Sequence, residues 1–376
     1  MRIALLSDVY KPVVNGVVHH VDLLKQYLEG WGEQVWLFVP GHPEEGDAPN
    51  IVRIPGIPLA DTGYHLSVTL DQRSRELIQK MDILHAHHPF LSGSFGLFAA
   101  SRYRLPLVFT NHTRYDLYVK QYLPLLPAAL SATALQSYFH RFSQRCAALI
   151  APSRGVADVM HHWGVDGRVE VIPNGVELEQ FRTPQRLVTR QTLELPAAAV
   201  VAIYVGRMSG EKNLEQLITF YRQISDEERR SHLLLVGGGS DIESYRALVQ
   251  GLGLAERVTI TGPVEYTQLP DYLALSDFFV TASVSEVHPL TLIEAAAAGL
   301  PTLGIRSPGV GDVVVDGVTG LLAAENLLSF GLRFLRLVQD DDYRRSLGEA
   351  ARATSTEYSA ERCARRVLHL YRELVR

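Results

Sequence analysis

Short apolar runs alternate with helical patterns along the whole chain. In the first half, β-branched and leucine-rich runs near 2–7, 34–39, 51–54, 83–86, 106–110, 148–151 and 169–172 read as strands. Between them, 16–29, 70–80, 92–102 and 153–162 carry apolar residues at helical spacing. The second half repeats the rhythm. Strands fall near 200–206, 232–236, 257–261, 277–281 and 301–305, and helices near 213–225, 241–251, 267–275, 289–298 and 326–338. The runs Val201-Ala202-Ile203-Tyr204-Val205 and His232-Leu233-Leu234-Leu235-Val236 do not alternate with polar residues, as suits strands buried on both faces. This βαβα order predicts an α/β protein with parallel sheets covered by helices on both sides.

The rhythm breaks once, from Ile172-Pro173-Asn174-Gly175-Val176 to about residue 195, where a polar stretch reads as a linker. The expected division is therefore a doubly wound domain over 1–182 and a second over 183–358. An amphipathic helix over 359–376, carrying Cys363, Val367, Leu368 and Leu370 among basic residues, could pack on either. In doubly wound sheets ligands bind at the carboxyl ends of the strands, so two such domains facing each other would share a cleft.

Composition narrows the class. At 376 residues, 47% apolar and 20% charged, the chain is long enough for two folded domains and too apolar for disorder. No run approaches about 18 uninterrupted apolar residues, which predicts no membrane span, and the opening Met1-Arg2-Ile3-Ala4-Leu5-Leu6 reads as a strand rather than a leader. Cys146 and Cys363 fit no pairing or metal motif, consistent with a reducing compartment. A net charge of −5 argues against a nucleic-acid partner. It conceals one basic region: between Ser101 and Arg154 lie seven basic residues and one acid, with Tyr115, Tyr118, Tyr122, Tyr138, Phe139 and Phe142 interleaved. Such a stretch suits an anionic membrane surface, or equally a solvated face over ordinary core aromatics.

Five segments could carry chemistry. Glu286 lies in the loop after the strand ending near Thr281, with Glu294 eight residues on in an apolar helix whose first turn carries Pro289 and offers free amides to a phosphate. Arg207 and Lys212, in Gly206-Arg207-Met208-Ser209-Gly210-Glu211-Lys212-Asn213, again sit between strand and helix, where two cations can neutralise a diphosphate. Asn15-Gly16 in the first βα loop lets the backbone approach a ligand. Gly237-Gly238-Gly239-Ser240 could cradle phosphate but lacks the dinucleotide fingerprint. His85, His87, His88 and His112 cluster at two strand ends. The His85-x-His87 pair invites a metal reading, although no carboxylate motif accompanies it.

Taken together, these motifs resemble the family-4 retaining glycosyltransferases of the GT-B fold, two Rossmann-like domains around a cleft. The resemblance rests on Pro12…Asn15-Gly16-Val17, on Ile172 to Val176, on Gly206-Arg207…Glu211-Lys212-Asn213 and on the Glu-x7-Glu element from Glu286 to Glu294. It implies hexosyl transfer from a nucleoside diphosphate sugar with retention and without metal or other cofactor. Arg207 and Lys212 would hold the diphosphate, Glu286 the sugar hydroxyls and Glu294 the ribose. Gly16 and Asn15 would lie under the phosphates, and His112 near the sugar. Val264, in Gly262-Pro263-Val264, would meet the base, with His288, Leu290 and Thr291 completing the donor site. The family has Phe-Gly where this chain has His288-Pro289, and many members have a second glycine in the first loop.

Segments 85–90 and 112–124 look most like bacterial members that glycosylate membrane lipids, such as diacylglycerol glucosyltransferases and phosphatidylinositol mannosyltransferases. That implies a lipid acceptor at an anionic surface, met by Arg114, Tyr115, Tyr118, Lys120 and Tyr122, and a cytoplasmic protein, free or peripheral on the inner face of the membrane. The donor remains open between UDP-glucose, UDP-galactose and GDP-mannose, and the assembly between monomer and homodimer. Three rival readings stand beside this one: a soluble acceptor, a nucleotide-sugar binding protein without catalysis, and a metal-dependent hydrolase built on His85, His87 and His112.

Overall fold

The computed structural model describes residues 1–13, 15–58, 65–66, 71–115, 117 and 128–376. The chain forms two compact units, one of Met1–Gly175 with Ala360–Arg376, the other of Val176–Ser359.

The first unit runs β1 (Arg2–Leu6), α1 (Gly16–Gly30), β2 (Gln34–Pro40), β3 (Ile51–Ile54), the two-residue pair β4 (Ile57–Pro58) and β5 (His65–Leu66), α2 (Gln72–Ile78) and β6 (Ile83–Ala86). It continues with α3 (Leu91–Tyr103), β7 (Leu107–Thr110), α4 (Ala128–Ser143), β8 (Ala148–Ala151), α5 (Arg154–His162) and β9 (Val169–Val171). Seven strands pair in parallel in the order β3-β2-β1-β6-β7-β8-β9. β1 is central, with Leu6 beside Phe38 on one side and Ala86 on the other. Its interior residues and those of β6, β7 and β8 are wholly buried, as their unbroken apolar runs require. Three helices of this unit are capped by side chains: Asn15 Oδ1 accepts from Val18 N at 2.9 Å, and Asp71 and Ser153 cap α2 and α5 in the same way.

The second unit contains α6 (Glu179–Arg182), β10 (Val200–Val205), α7 (Leu214–Glu227), β11 (Ser231–Val236), α8 (Ile242–Gly251), β12 (Val258–Ile260), α9 (Leu269–Ala274) and β13 (Phe278–Thr281). After these come α10 (Leu290–Ala298), β14 (Thr302–Ile305), α11 (Pro308–Val313), β15 (Gly320–Ala323), α12 (Leu327–Gln339) and α13 (Asp341–Thr354). Six parallel strands are ordered β12-β11-β10-β13-β14-β15. In both sheets the strand order reverses beside the first strand of the unit, between β1 and β6 and between β10 and β13. That is where an open α/β sheet forms its ligand crevice.

One boundary differs from the sequence reading, and the place of the last helix, left open there, is decided. The chain leaves the first unit at Gly175 rather than at residue 182, because Val176, Leu178 and Phe181 are buried in the core of the second. The C-terminal helix, Ala360–Leu374, belongs to the first unit, where it buries Cys363, Ala364, Val367, Leu368, Leu370 and Tyr371 against α1 and the sheet. Fully buried apolar side chains contribute about 1.5–3 kcal/mol each, so this helix is a structural part of the unit. The α4, α11, α13 and β15 elements were not anticipated. α13 is highly charged and its buried side is reduced to Arg344, Leu347, Gly348 and Ala351, and β15 is Gly320-Leu321-Leu322-Ala323 with no β-branched residue, so neither has the composition by which the other elements stand out.

Candidate active site

At the mouth of the second sheet, two loops leave adjacent strands. After β10 the chain passes Gly206, Arg207 and a short 3₁₀ turn, Gly210–Lys212, before α7. After β13 it passes Ser283 and Glu286 before α10. The loops are tied together, Ser285 Oγ donating to Glu211 O at 3.0 Å and Asn213 Nδ2 to Ala282 O at 3.2 Å. Across the tie, Lys212 Nζ donates to Glu286 Oε1 at 2.7 Å. Both side chains are about one-fifth exposed. Burial pushes the Glu286 carboxyl up, but the charge and hydrogen bond of Lys212, with help from Ser283, hold it below its ordinary value. Arg207 remains largely exposed, 3.8 Å from Glu211.

Glu294 projects from α10 and is only 2% exposed. Tyr266 Oη donates to its Oε1 at 2.9 Å. Burial lifts the carboxyl to about 7, and the Tyr266 bond offsets part of that rise. The sequence offered no signal for Tyr266, which lies two residues past Val264 and opens a 3₁₀ turn over Tyr266–Gln268. Val264 itself is half-buried against the core. Leu290 and Thr291 open α10, and Pro289, expected in the first turn, is the cap residue, so the helix starts one residue later than expected. His288 is buried with its ring edge-on to Tyr358 at 5.4 Å.

The glycine run has a structural explanation. A Cβ at Gly239 would lie 2.2 Å from Met208 O, and one at Gly237 2.0 Å from Gly206 O. The run therefore lets the 206–208 loop lie flat on the end of β11, with Met208 N donating to Gly238 O at 2.8 Å. It shapes the Arg207 loop. Gly309 does the same for Glu286, since a Cβ there would meet Glu286 O at 2.3 Å.

At the mouth of the first sheet the side chains are imidazoles. Asn15 is spent on capping α1, and Gly16 is the helix's exposed first residue. His85, in β6, and His87, just past its end, bring their ring centroids to 4.2 Å. His85, however, has both nitrogens engaged: Nδ1 with Tyr371 Oη at 2.5 Å and Nε2 with Thr110 Oγ1 at 2.7 Å. It therefore cannot serve the His85–His87–His112 metal triad that the sequence suggested. Its place is taken by His20 of α1, which sequence spacing gave no reason to choose. His87 Nδ1 and His112 Nε2 are 3.0 Å apart. Burial pushes His85 down to about 3 and His20 to about 4, and holds His87 and His112 well below the usual imidazole value. All four are neutral at neutral pH.

The basic-aromatic stretch separates into two layers. Phe139 and Phe142 are core residues, and Tyr115, 8% exposed, packs on Phe90, Phe139 and Trp163. The expectation that Tyr115 lies on an interaction face is corrected: its ring is inside. Arg102, Arg104, Arg141, Arg145 and Arg154 are exposed, and Arg114 half-buried. Tyr118, Lys120 and Tyr122 lie outside the described residues. Among the described residues no helix is long and apolar enough to cross a membrane.

Residues 14–180 match the model of Glycosyltransferase Family 4, and residues 186–354 that of Glycosyl transferases group 1. The chain belongs to the family-4 glycosyltransferases. It is 28% identical over 390 residues to the alpha-monoglucosyldiacylglycerol synthase of Acholeplasma laidlawii, covering 100% of this chain and 98% of that one. It is 29% identical over 304 residues to the D-inositol 3-phosphate glycosyltransferase of Xylanimonas cellulosilytica, covering 77% of this chain and 71% of that one. A solved structure of Anabaena HepE in complex with UDP and glucose superposes with a TM-score of 0.78 at 19% identity, covering each chain fully, which speaks to the fold. The two parallel, Rossmann-like units are thus those of a GT-B glycosyltransferase.

Proposed function

We propose that this glycosyltransferase moves a hexose, with retention of configuration and without a metal, from a nucleoside diphosphate sugar of the UDP-glucose kind to a membrane lipid. The observation that carries the donor half is the 2.7 Å Lys212–Glu286 pair across the strand-order reversal of the second sheet. A diphosphate entering there meets Lys212 and the exposed Arg207, whose charges offset the negative charge that develops as the leaving group departs. Glu286, relieved of part of its partner's charge, accepts from sugar hydroxyls, and Glu294 from the ribose. The acceptor oxygen bonds to the anomeric carbon as the anomeric carbon–phosphate oxygen bond breaks on the same face. The acceptor's proton goes to the departing phosphate oxygen, so no protein base is required. His112, neutral and anchored by His87, is suited to donate to or accept from a hydroxyl and not to pair with a phosphate.

The lipid acceptor is supported by the end-to-end likeness to a synthase whose name specifies a diacylglycerol product, and by exposed arginines at 102, 104, 141, 145 and 154. The placing follows from the acceptor: a peripheral protein at the inner face of a bacterial membrane. Radiolabelled UDP-glucose, UDP-galactose and GDP-mannose, each offered with diacylglycerol vesicles or with inositol phosphate, test the reading. Label from UDP-glucose should enter the organic phase at a rate unchanged by EDTA. Label confined to a water-soluble product would overturn the lipid acceptor, and loss of activity with EDTA the metal-independent chemistry.

A further inference from the structure

The histidines of the first unit carry more nitrogen than hydrogen-bond partners. His20 comes from α1, His87 from the turn after β6 and His112 from the turn after β7. One ligand nitrogen of each lies within 4.8 Å of the other two. The His87–His112 contact engages one nitrogen on each ring, yet His20 Nε2 and His87 Nε2 are buried without a hydrogen-bond partner. An unsatisfied buried polar atom costs about 1–3 kcal/mol, and His20 Nε2, unpartnered beside two further imidazoles, points to a ligand. The set is all imidazole. Nitrogen donors of this kind suit zinc and its late first-row neighbours and do not suit the hard cations magnesium and calcium, which take oxygen. Burial keeps the three rings unprotonated at neutral pH, the form in which they ligate.

We propose that His20, His87 and His112 form a three-histidine site for a divalent metal ion of the zinc type, with its fourth position open, and that metal bound there blocks transfer by occupying His112. The block rests on the reading of His112 given above; the binding does not. A tetrahedral site with bonds of about 2.0–2.1 Å sets its nitrogens about 3.3 Å apart, so His20 must swing inward while the His87–His112 bond gives way to two metal bonds. His85 remains outside the site, because Tyr371 and Thr110 hold both its nitrogens.

The test uses the full chain, stripped with chelator and titrated with Co²⁺ as a spectroscopic probe. One equivalent should produce the intense visible absorption of tetrahedral cobalt, bleached on adding Zn²⁺. His20→Ala and His87→Ala should each weaken binding by about a hundredfold, no less than the loss of an outer-shell partner costs a metal site. Both should retain the thermal stabilisation conferred by UDP, which reports on the other unit. Stoichiometric zinc should inhibit wild-type transfer, chelator should restore it, and His20→Ala should resist. An octahedral spectrum, or binding unchanged in both variants, overturns the site. Binding with undiminished transfer overturns the block. If the wild type transfers no sugar at all, the cobalt titration still decides the site.

Discussion

At the mouth of the second sheet Lys212 and Glu286 keep their charges, because each has the other at 2.7 Å. At the mouth of the first, His20, His85, His87 and His112 are neutral, because burial and like neighbours disfavour a proton and no carboxylate is hydrogen-bonded to any of them among the described contacts. The topology is the same in both units: a parallel sheet with its strand order reversing beside the first strand. The residues at the reversal differ in kind. A charged, mutually paired mouth suits an ionic ligand that can exchange with the internal partner. A neutral mouth rich in both donors and acceptors suits hydroxyls, which need no counter-charge. A diphosphate sugar and its acceptor make those two demands.

The sharpest way to break this contrast is at the charged mouth. Lys212→Ala and Glu286→Gln should each lower kcat/KM by about a thousandfold, in line with the removal of a buried electrostatic stabiliser. The two residues act through one another, so the double variant should be little worse than either single one. Losses that multiply in the double variant would mean that the pair does not work as a unit.

A second test is the sign of the pH dependence. Glu294 is raised by burial to about 7, so the folded state holds its proton more tightly than the unfolded one. Its stabilising contribution is complete below about 4.5 and is lost as pH rises through about 7, a change of about 3 kcal/mol. His20 has the opposite sign. Lowered to about 4, it favours the folded state above about 6.5 and loses that as pH falls through about 4. In thermal melts, Glu294→Gln should therefore gain on wild type as pH rises from 5 to 8, and His20→Gln should gain as pH falls from 6.5 to 4. Slopes of the same sign would sink the contrast between the two mouths.

Per residue, the smallest effect concerns the arginines outside both mouths. Replacing Arg102, Arg104, Arg141 and Arg145 with Gln should weaken binding to anionic vesicles by about 1 kcal/mol per arginine at low salt and by much less at high salt. Co-sedimentation equal on neutral and anionic vesicles would remove the membrane role of this face.

Much of the fold was legible because the central strands are unbroken apolar runs separated by helical patterns, a local property. The elements that escaped lack the usual composition: α13 is highly charged with only Leu347, Gly348 and Ala351 as its apolar stripe, and β15 is Gly-Leu-Leu-Ala with no β-branched residue. Among site residues, Arg207, Lys212, Glu286 and Glu294 stood out because a charge beside an apolar strand or inside an apolar helix is conspicuous. Tyr266 and His20 did not stand out. A tyrosine in a short turn or a histidine on a helix is ordinary until something distant in the chain is placed against it. The reverse error occurred at Tyr115, whose interleaving with basic residues suggested a surface and whose ring is in the core.

The sequence by itself determined two parallel-sheet units, the loops in which charge collects and the family to which the chain belongs, because periodicity and short motifs are written along the backbone. Tertiary structure alone decided the pairings. Lys212 meets Glu286 across 74 residues, Tyr266 meets Glu294 across 28, and Tyr371 of the C-terminal helix takes His85 across 286, leaving the histidine cluster to His20, His87 and His112. Protonation and ligation are set by which groups burial brings within hydrogen-bonding distance, and that is a property of three-dimensional neighbours which sequence spacing does not encode.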